Sequence, residues 1–136
     1  MTTCEKKCSY VLIFTSSSFL LPATYALIYK KSVFSLISYS ISISSINYWF
    51  DPNNKTKMLY DKCTSYIGCV LYIVNSLYYI PTIEMKFVSI LIVFLYYLCF
   101  LLSCYLYNNN NNNWIYAHML FHSLVFVSKW ILYLQI

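Results

Sequence analysis

The sequence predicts an all-α polytopic helical membrane protein, a single membrane domain over residues 1–136 with about five transmembrane helices. Hydrophobic residues make up 60% of the chain and charged residues only 10%, whereas soluble globular proteins have roughly 45–50% and about 25%. The apolar residues fall in long runs, separated by short polar segments that carry most of the lysines. A single glycine and three prolines exclude collagen-like and turn-rich β scaffolds.

The first predicted span covers residues 9–29. A basic segment before an apolar run also occurs in signal peptides, but their apolar region covers only about 7–15 residues. This run is longer, and no A-x-A cleavage site follows it. We therefore predict a retained membrane helix.

The second predicted span, residues 32–50, is rich in serine. The segment 40–44 alternates serine and isoleucine with a period of two, which is typical of a strand. Over the longer range, however, a 3-4-3 spacing places four serines on one helical face: Ser35, Ser38, Ser42 and Ser45. An isolated strand would leave its backbone groups unpaired in lipid. We predict a helix whose small-residue face lets a neighbouring helix approach closely.

Polar segments separate the remaining predicted spans. Asp51-Pro52-Asn53-Asn54 predicts a turn, and we expect the loop to continue as far as Lys62. The later segments are a third span at 63–80, a fourth at 87–107, the asparagine tract 108–113 as a flexible loop, and a fifth span at 114–134. Apolar runs of this length exceed the roughly 9–11 residues of a membrane-barrel strand.

The lysines predict which side of the membrane each loop occupies. Five spans place the N-terminus, the 51–62 loop and the asparagine tract on one side. This side carries more lysines, so the positive-inside rule predicts a cytosolic N-terminus. Lys129, near the other end, is expected to snorkel outward. The expected partners are the lipid bilayer and other membrane helices. Nucleic acid is not expected, because the lysines are scattered and arginine is absent.

The cysteines are predicted to be mostly free thiols, since Cys99 and Cys104 lie in an apolar run where cysteine behaves as a small hydrophobe. Cys4 and Cys8 flank two lysines before the first span, which is compatible either with unmodified thiols or with palmitoylation. Their spacing, together with that of the two histidines, would also suit a Cys2His2 zinc site.

His118 and His122, the chain's two histidines, are separated by four residues on the fifth predicted helix and share one face. Ionisable residues within a membrane are costly and often functional, and histidines at this spacing can bind one metal ion. Histidines bonded to hydroxyls on neighbouring helices would give the same pattern. Both interpretations remain open at this stage.

Asp61 precedes the third predicted span on the same side of the membrane as Ser45 and the histidines. It could ligate a metal directly or orient a ligating histidine. Alternatively, it could cap the third helix at its positive dipole end, or pair with Lys57 or Lys62.

The order of these residues resembles the alkaline ceramidase and progestin/adipoQ receptor superfamily of seven-helix membrane hydrolases. In that family a serine, a histidine four residues later, an aspartate and a late histidine pair build a zinc site that activates water against a lipid amide. The resemblance implies that Ser45 (or Ser44) and Asp61 are catalytic. It also implies that His118, His122 and Asp61 bind zinc.

The chain departs from the family at the first motif histidine, where Tyr48 or Trp49 stands, and it has two spans fewer. These departures favour a small multi-pass membrane protein of undetermined activity, without catalysis or cofactor, as a degenerate relative of the hydrolases. The alternative is an active zinc-dependent hydrolase of a lipid amide or ester, in which Ser45 positions the oxyanion. Transport is a third hypothesis, but the chain lacks the expected pair of broken helices.

Overall fold

The computed structural model describes residues 3–135, with side chains from residue 9 onward, and within that range it contains helices and turns but no strand. The side chains of Cys4 and Cys8 therefore lie outside the described part. The helices are α1 (Thr3–Ser17), α2 (Leu20–Ile28), α3 (Ser32–Phe50), α4 (Lys55–Tyr79), α5 (Ile83–Asn108) and α6 (Trp114–Gln135). The predicted all-α fold class is confirmed.

Three helical stretches are long and apolar enough to cross a membrane: Ser9–Ile28, Ile83–Asn108 and Trp114–Gln135, with mean hydropathies of 1.7, 2.5 and 1.3. They match the first, fourth and fifth predicted spans. The segments predicted as the second and third spans lie in α3 and α4, which do not reach the same hydropathy. Seven serines in α3 and several charged residues in the first two turns of α4 account for the difference.

The first predicted span is interrupted, because a turn at Ser18 and Phe19 separates α1 from α2. Pro22 lies in the first turn of α2, has no N–H, and its ring would clash with the carbonyl of Ser18 in a continuous helix. The Ser18 hydroxyl instead donates to the carbonyl of Thr15 at 2.6 Å. Pro22 therefore explains why one apolar run forms two helices.

Helix α3 packs against α1 and α2, and its serine face is buried, as the spacing predicted. All four serines of the face are buried: Ser35, Ser38, Ser42 and Ser45. The Ser42 hydroxyl donates across the interface to the carbonyl of Ser16 at 2.9 Å. Small side chains thus allow close approach, and a hydroxyl supplies a cross-helix hydrogen bond.

The turn between α3 and α4 confirms one prediction and corrects another. Asn54 N–H donates to the carbonyl of Asp51 at 3.1 Å, which closes the predicted turn. However, α4 begins at Lys55, so the loop does not continue to Lys62. The Asn54 side-chain oxygen accepts from the N–H groups of Thr56 and Lys57 at 3.1 and 3.2 Å. This cap satisfies backbone donors that a helix start leaves unpaired.

Gly68, the single glycine of the chain, is buried in α4 next to α3. The side chain of Ile41, which is itself buried, fills the space that a Cβ atom at position 68 would occupy. A substituted residue would have to displace Ile41. Gly68 therefore marks a close approach between α3 and α4.

The helices form two compact units, Met1–Leu71 and Tyr72–Ile136, whose boundary falls within α4. In the second unit α5 packs extensively against α6. Three buried residues at seven-residue intervals, Ser89, Tyr96 and Ser103, lie on one face of α5. Between α5 and α6, Asn110 takes a left-handed conformation with φ of 53°, which asparagine tolerates better than most residues.

We expect Ser42→Leu to destabilise the first unit by about 1–3 kcal/mol, because the larger side chain overpacks a closed helix interface and removes the hydrogen bond to Ser16. Ser32→Leu, at an exposed position of the same helix, is the matched control and should change stability little. Thermal unfolding of the detergent-purified proteins measures both. Equal melting temperatures for the two variants would contradict the described packing.

Candidate functional site

Four polar side chains meet between α3 and α4, and we call them the hydroxyl–carboxylate cluster: Ser44, Ser45, Asp61 and Thr64. The Ser45 hydroxyl donates to Asp61 Oδ1 at 2.6 Å, and Ser44 lies 3.3 Å from the same oxygen. The hydroxyls of Ser44 and Thr64 are 2.6 Å apart. The structure thus brings together Ser45 and Asp61, the two residues predicted as catalytic.

The local sequence explains this meeting. The short turn at residues 51–54 reverses the chain, so the end of α3 lies opposite the start of α4. Asp61 and Thr64 are three residues apart on α4 and therefore share a face. Ser44 and Ser45 are buried on α3. The sequence analysis did not identify Thr64. Its three-residue spacing from Asp61 was the signal that could have placed it on the same helical face.

Two of the structural alternatives for Asp61, the helix cap and the pairing with Lys57, are wrong. Asp61 does not cap α4, because that helix begins six residues earlier and Asn54 caps it. Lys57 does not pair with Asp61 but with Asp51, at 3.5 Å between Nζ and Oδ2. Lys62 acts on Asp61 only through its charge, and the direct partners of the carboxylate are the serine hydroxyls.

Burial raises the pKa of the Asp61 carboxyl above its ordinary value, because removal from water disfavours the charged form. The hydroxyls of Ser45 and Ser44, and then the positive charge of Lys62, oppose this rise by stabilising the carboxylate. Since burial is the largest contribution, the folded protein holds a proton on Asp61 more tightly than the unfolded chain does.

The histidines lie in the second unit with their rings side by side. The ring centroids of His118 and His122 are 4.8 Å apart. Nδ1 of His118 is 3.2 Å from the hydroxyl of Ser103 on α5, and the Phe121 ring centroid is 5.5 Å from that of His118. The contact between His118 and Ser103 fits the alternative interpretation, in which a histidine is hydrogen-bonded to a hydroxyl on a neighbouring helix.

A zinc centre needs more donors than this pair supplies. Catalytic zinc sites use three protein ligands, and the described residues contain no group of three or more His, Cys, Asp or Glu side chains that could hold a metal ion. Asp61 belongs to the first unit and the histidines belong to the second. Zinc ligation by His118, His122 and Asp61 therefore stays a prediction, and we derive no chemical step through it.

The prediction that Lys129 snorkels outward is wrong, because the residue is buried in the fold. Its side chain is only 6% exposed. Lys129 lies seven residues after His122 on α6, so the two share a helical face. The short distance of Lys129 from the C-terminus suggested an outward position. Its face of α6, however, is directed into the fold.

Compared with protein-family models, with curated proteins and with solved structures, the chain matches none of them. The resemblance to the alkaline ceramidase superfamily therefore stays a prediction that depends on short motifs.

We expect the melting temperature of the wild-type protein to fall as pH rises from about 4 through the raised pKa of Asp61, because the folded state favours the protonated carboxyl. Asp61→Asn keeps a neutral side chain and should flatten this part of the profile. Asp51→Asn, which changes an exposed carboxylate, is the control. Thermal unfolding in buffers from pH 4 to 7 measures the profiles. Parallel wild-type and Asp61→Asn profiles would contradict this role of burial.

Proposed function

We propose that this chain is a small multi-pass integral membrane protein that acts through contacts between helices in the bilayer, without catalysis. The observation that carries the proposal is the distribution of side chains. Large apolar residues point outward, including Phe14 at 76% and Tyr78 at 79% exposure, while many serines are buried. Lipid is the solvent that favours such an arrangement.

The exposed apolar surface supports a membrane setting on energetic grounds. Phe94 and Leu134 are more than half exposed, within stretches long and apolar enough to span a bilayer. In water, burying apolar area is worth about 25 cal/mol per Å², so exposed faces of this kind favour transfer into lipid or against another helix. Contact with lipid and with other membrane helices follows from the same surfaces.

The interior supports a role in helix association. The hydroxyl of Ser42 on α3 donates to the carbonyl of Ser16 on α1. The hydroxyl of Tyr39 on α3 is hydrogen-bonded to that of Thr24 on α2 at 3.0 Å. Small residues and hydroxyls are the features that hold membrane helices together, because apolar burial gives no preference for a helix over lipid. The hydroxyls that bond between these helices are thus explained without a reaction.

The proposed topology includes two further spans, residues 32–50 in α3 and residues 63–80, most of which lie in α4, and a cytosolic N-terminus. The lysine distribution supports this orientation. Asn54-Lys55-Thr56 is a glycosylation sequon at the α3–α4 turn, on the same side as the N-terminus. The chain therefore contains its own reporter of orientation.

We expect the protein to remain in the membrane pellet after alkaline carbonate extraction, and Asn54 to stay unglycosylated when the chain is inserted into microsomes. Thr56→Ala, which destroys the sequon, is the matched control for any shift in mobility. Release by carbonate would contradict integral insertion. A glycan on Asn54 that Thr56→Ala removes would reverse the orientation but leave insertion intact.

A zinc-dependent membrane hydrolase of a lipid amide or ester is the second candidate. The 2.6 Å hydrogen bond between Ser45 and Asp61 favours it, because these are the residues that the resemblance assigns to catalysis. The neighbouring rings of His118 and His122 also suit shared metal binding. The absence of a histidine four residues after Ser44 or Ser45 speaks against it.

If the chain is this hydrolase, the detergent-purified protein should carry about one zinc per chain, and the double variant His118→Ala/His122→Ala should lose it. Ser123→Ala, an exposed position on the same helix, should leave the zinc content unchanged. Elemental analysis by mass spectrometry measures all three proteins. Zinc content that does not respond to the histidine substitutions would eliminate the hydrolase.

A further inference from the structure

Helix α4 has an exposed face in its N-terminal part, and we call it the lysine face: Lys55, Leu59, Lys62 and Tyr66. Intervals of four, three and four residues place these side chains along one side of the helix. All four residues are exposed, with Leu59 at 61% and Tyr66 at 59%. The face therefore alternates positive charges with large apolar groups.

The two lysines of this face are available to an external partner. Lys57, on the same helix, instead forms an ion pair with Asp51 at 3.5 Å. Asp61, which is next to Lys62 in sequence, is directed toward α3, where it accepts hydrogen bonds from serine hydroxyls. Among the residues whose side chains the structure describes, neither Lys55 nor Lys62 forms an ion pair. The lysine face therefore presents positive charge to its surroundings.

The position of the lysine face along α4 corresponds to the headgroup layer of a bilayer. In the proposed topology the span begins at residue 63, so the first two turns of α4 extend beyond the hydrocarbon core. Lys62 lies at this boundary, and Lys55 lies about 10 Å farther out at 1.5 Å per residue. The headgroup region of each leaflet is roughly 5–7 Å thick. Flexible lysine side chains at these two positions therefore reach the depth of the lipid phosphates.

We propose that the lysine face binds anionic phospholipids in the leaflet at the α3–α4 turn, through their phosphate groups. The proposal rests on the proposed function, because it requires the span that begins at residue 63, and it adds the class of lipid that the protein prefers. Leu59 and Tyr66 would contact the apolar part of the same lipids. Tyr66 lies one turn inside the span, at the level where tyrosines form interfacial belts.

Charge complementarity determines the class of lipid. Each lysine near an anionic bilayer surface strengthens binding by roughly fivefold, so the two lysines together favour anionic over zwitterionic lipids by about tenfold to thirtyfold. The exposed apolar groups between and beside the lysines favour a lipid over a soluble anion, because a soluble anion offers them no apolar contact. The face therefore fits a negatively charged lipid surface.

Thermal unfolding of the full-length protein in detergent tests the proposal, with phosphatidylglycerol or phosphatidylcholine added at increasing concentrations. Phosphatidylglycerol should raise the wild-type melting temperature at lower concentrations than phosphatidylcholine does. An increase in sodium chloride from about 0.05 M to 0.5 M should weaken this preference, because salt screens exposed charges. Inorganic phosphate at the same concentrations should leave the melting temperature unchanged.

Lys55→Gln/Lys62→Gln should raise the phosphatidylglycerol concentration needed for half of the stabilisation by about tenfold to thirtyfold. Lys55→Arg/Lys62→Arg, which keeps both charges, should stay near the wild-type value. Lys30→Gln/Lys31→Gln removes two lysines between α2 and α3. This control matches the loss of charge and should also stay near the wild-type value.

Equal effects of the two lipids on the wild-type protein would overturn the proposal, and so would a Lys55→Gln/Lys62→Gln variant that behaves like the wild type. An equal loss in Lys30→Gln/Lys31→Gln would overturn it by assigning the effect to net charge, and equal stabilisation by inorganic phosphate would do so by assigning it to a soluble anion. If the variants do not fold, the wild-type lipid and salt titrations decide by themselves. A wild-type protein that resists carbonate extraction but shows no lipid preference would refute the lysine face and leave the proposed function intact.

Discussion

Helices that present apolar side chains outward must satisfy their polar groups among themselves, and most of this structure follows from that constraint. Some hydroxyls satisfy this constraint within their own helix, as Thr24 does by donating to the carbonyl of Leu20. Others satisfy it between two helices, as in the contacts of Ser42 with Ser16 and of Ser103 with His118. The same hydrogen bonds that remove the cost of polar groups in an apolar setting thus determine which helices are neighbours.

The sequence predicted the helices well where one strong signal acted alone. The apolar runs that became α5 and α6, and the serine face of α3, follow from length and from helical period. The errors lie where a local effect competes with hydropathy. Pro22 breaks an apolar run that hydropathy reads as continuous, and the Asn54 cap starts α4 within residues whose charge had suggested a loop.

The part of the candidate site that depends on one short turn was predictable from the sequence. Ser45 and Asp61 are joined by the turn at residues 51–54, so their meeting follows from two antiparallel helices. Thr64 completes the cluster through its spacing from Asp61, which becomes informative only when Asp61 lies inside a helix. The inward position of Lys129 follows from its seven-residue spacing to His122, which places both on one helical face. The prediction counted the distance to the chain end and did not use this spacing.

Gly68 links the packing of the first unit to its polar cluster. It lies two turns beyond Asp61 on α4, where Ile41 of α3 fills the space beside it. A side chain that pushed α3 and α4 apart at this position would also lengthen the path between Ser45 and Asp61, although it touches neither residue. The missing side chain of Gly68 thus allows the close approach of α3 and α4. The distance between Ser45 and Asp61 therefore depends on a residue that contacts neither of them.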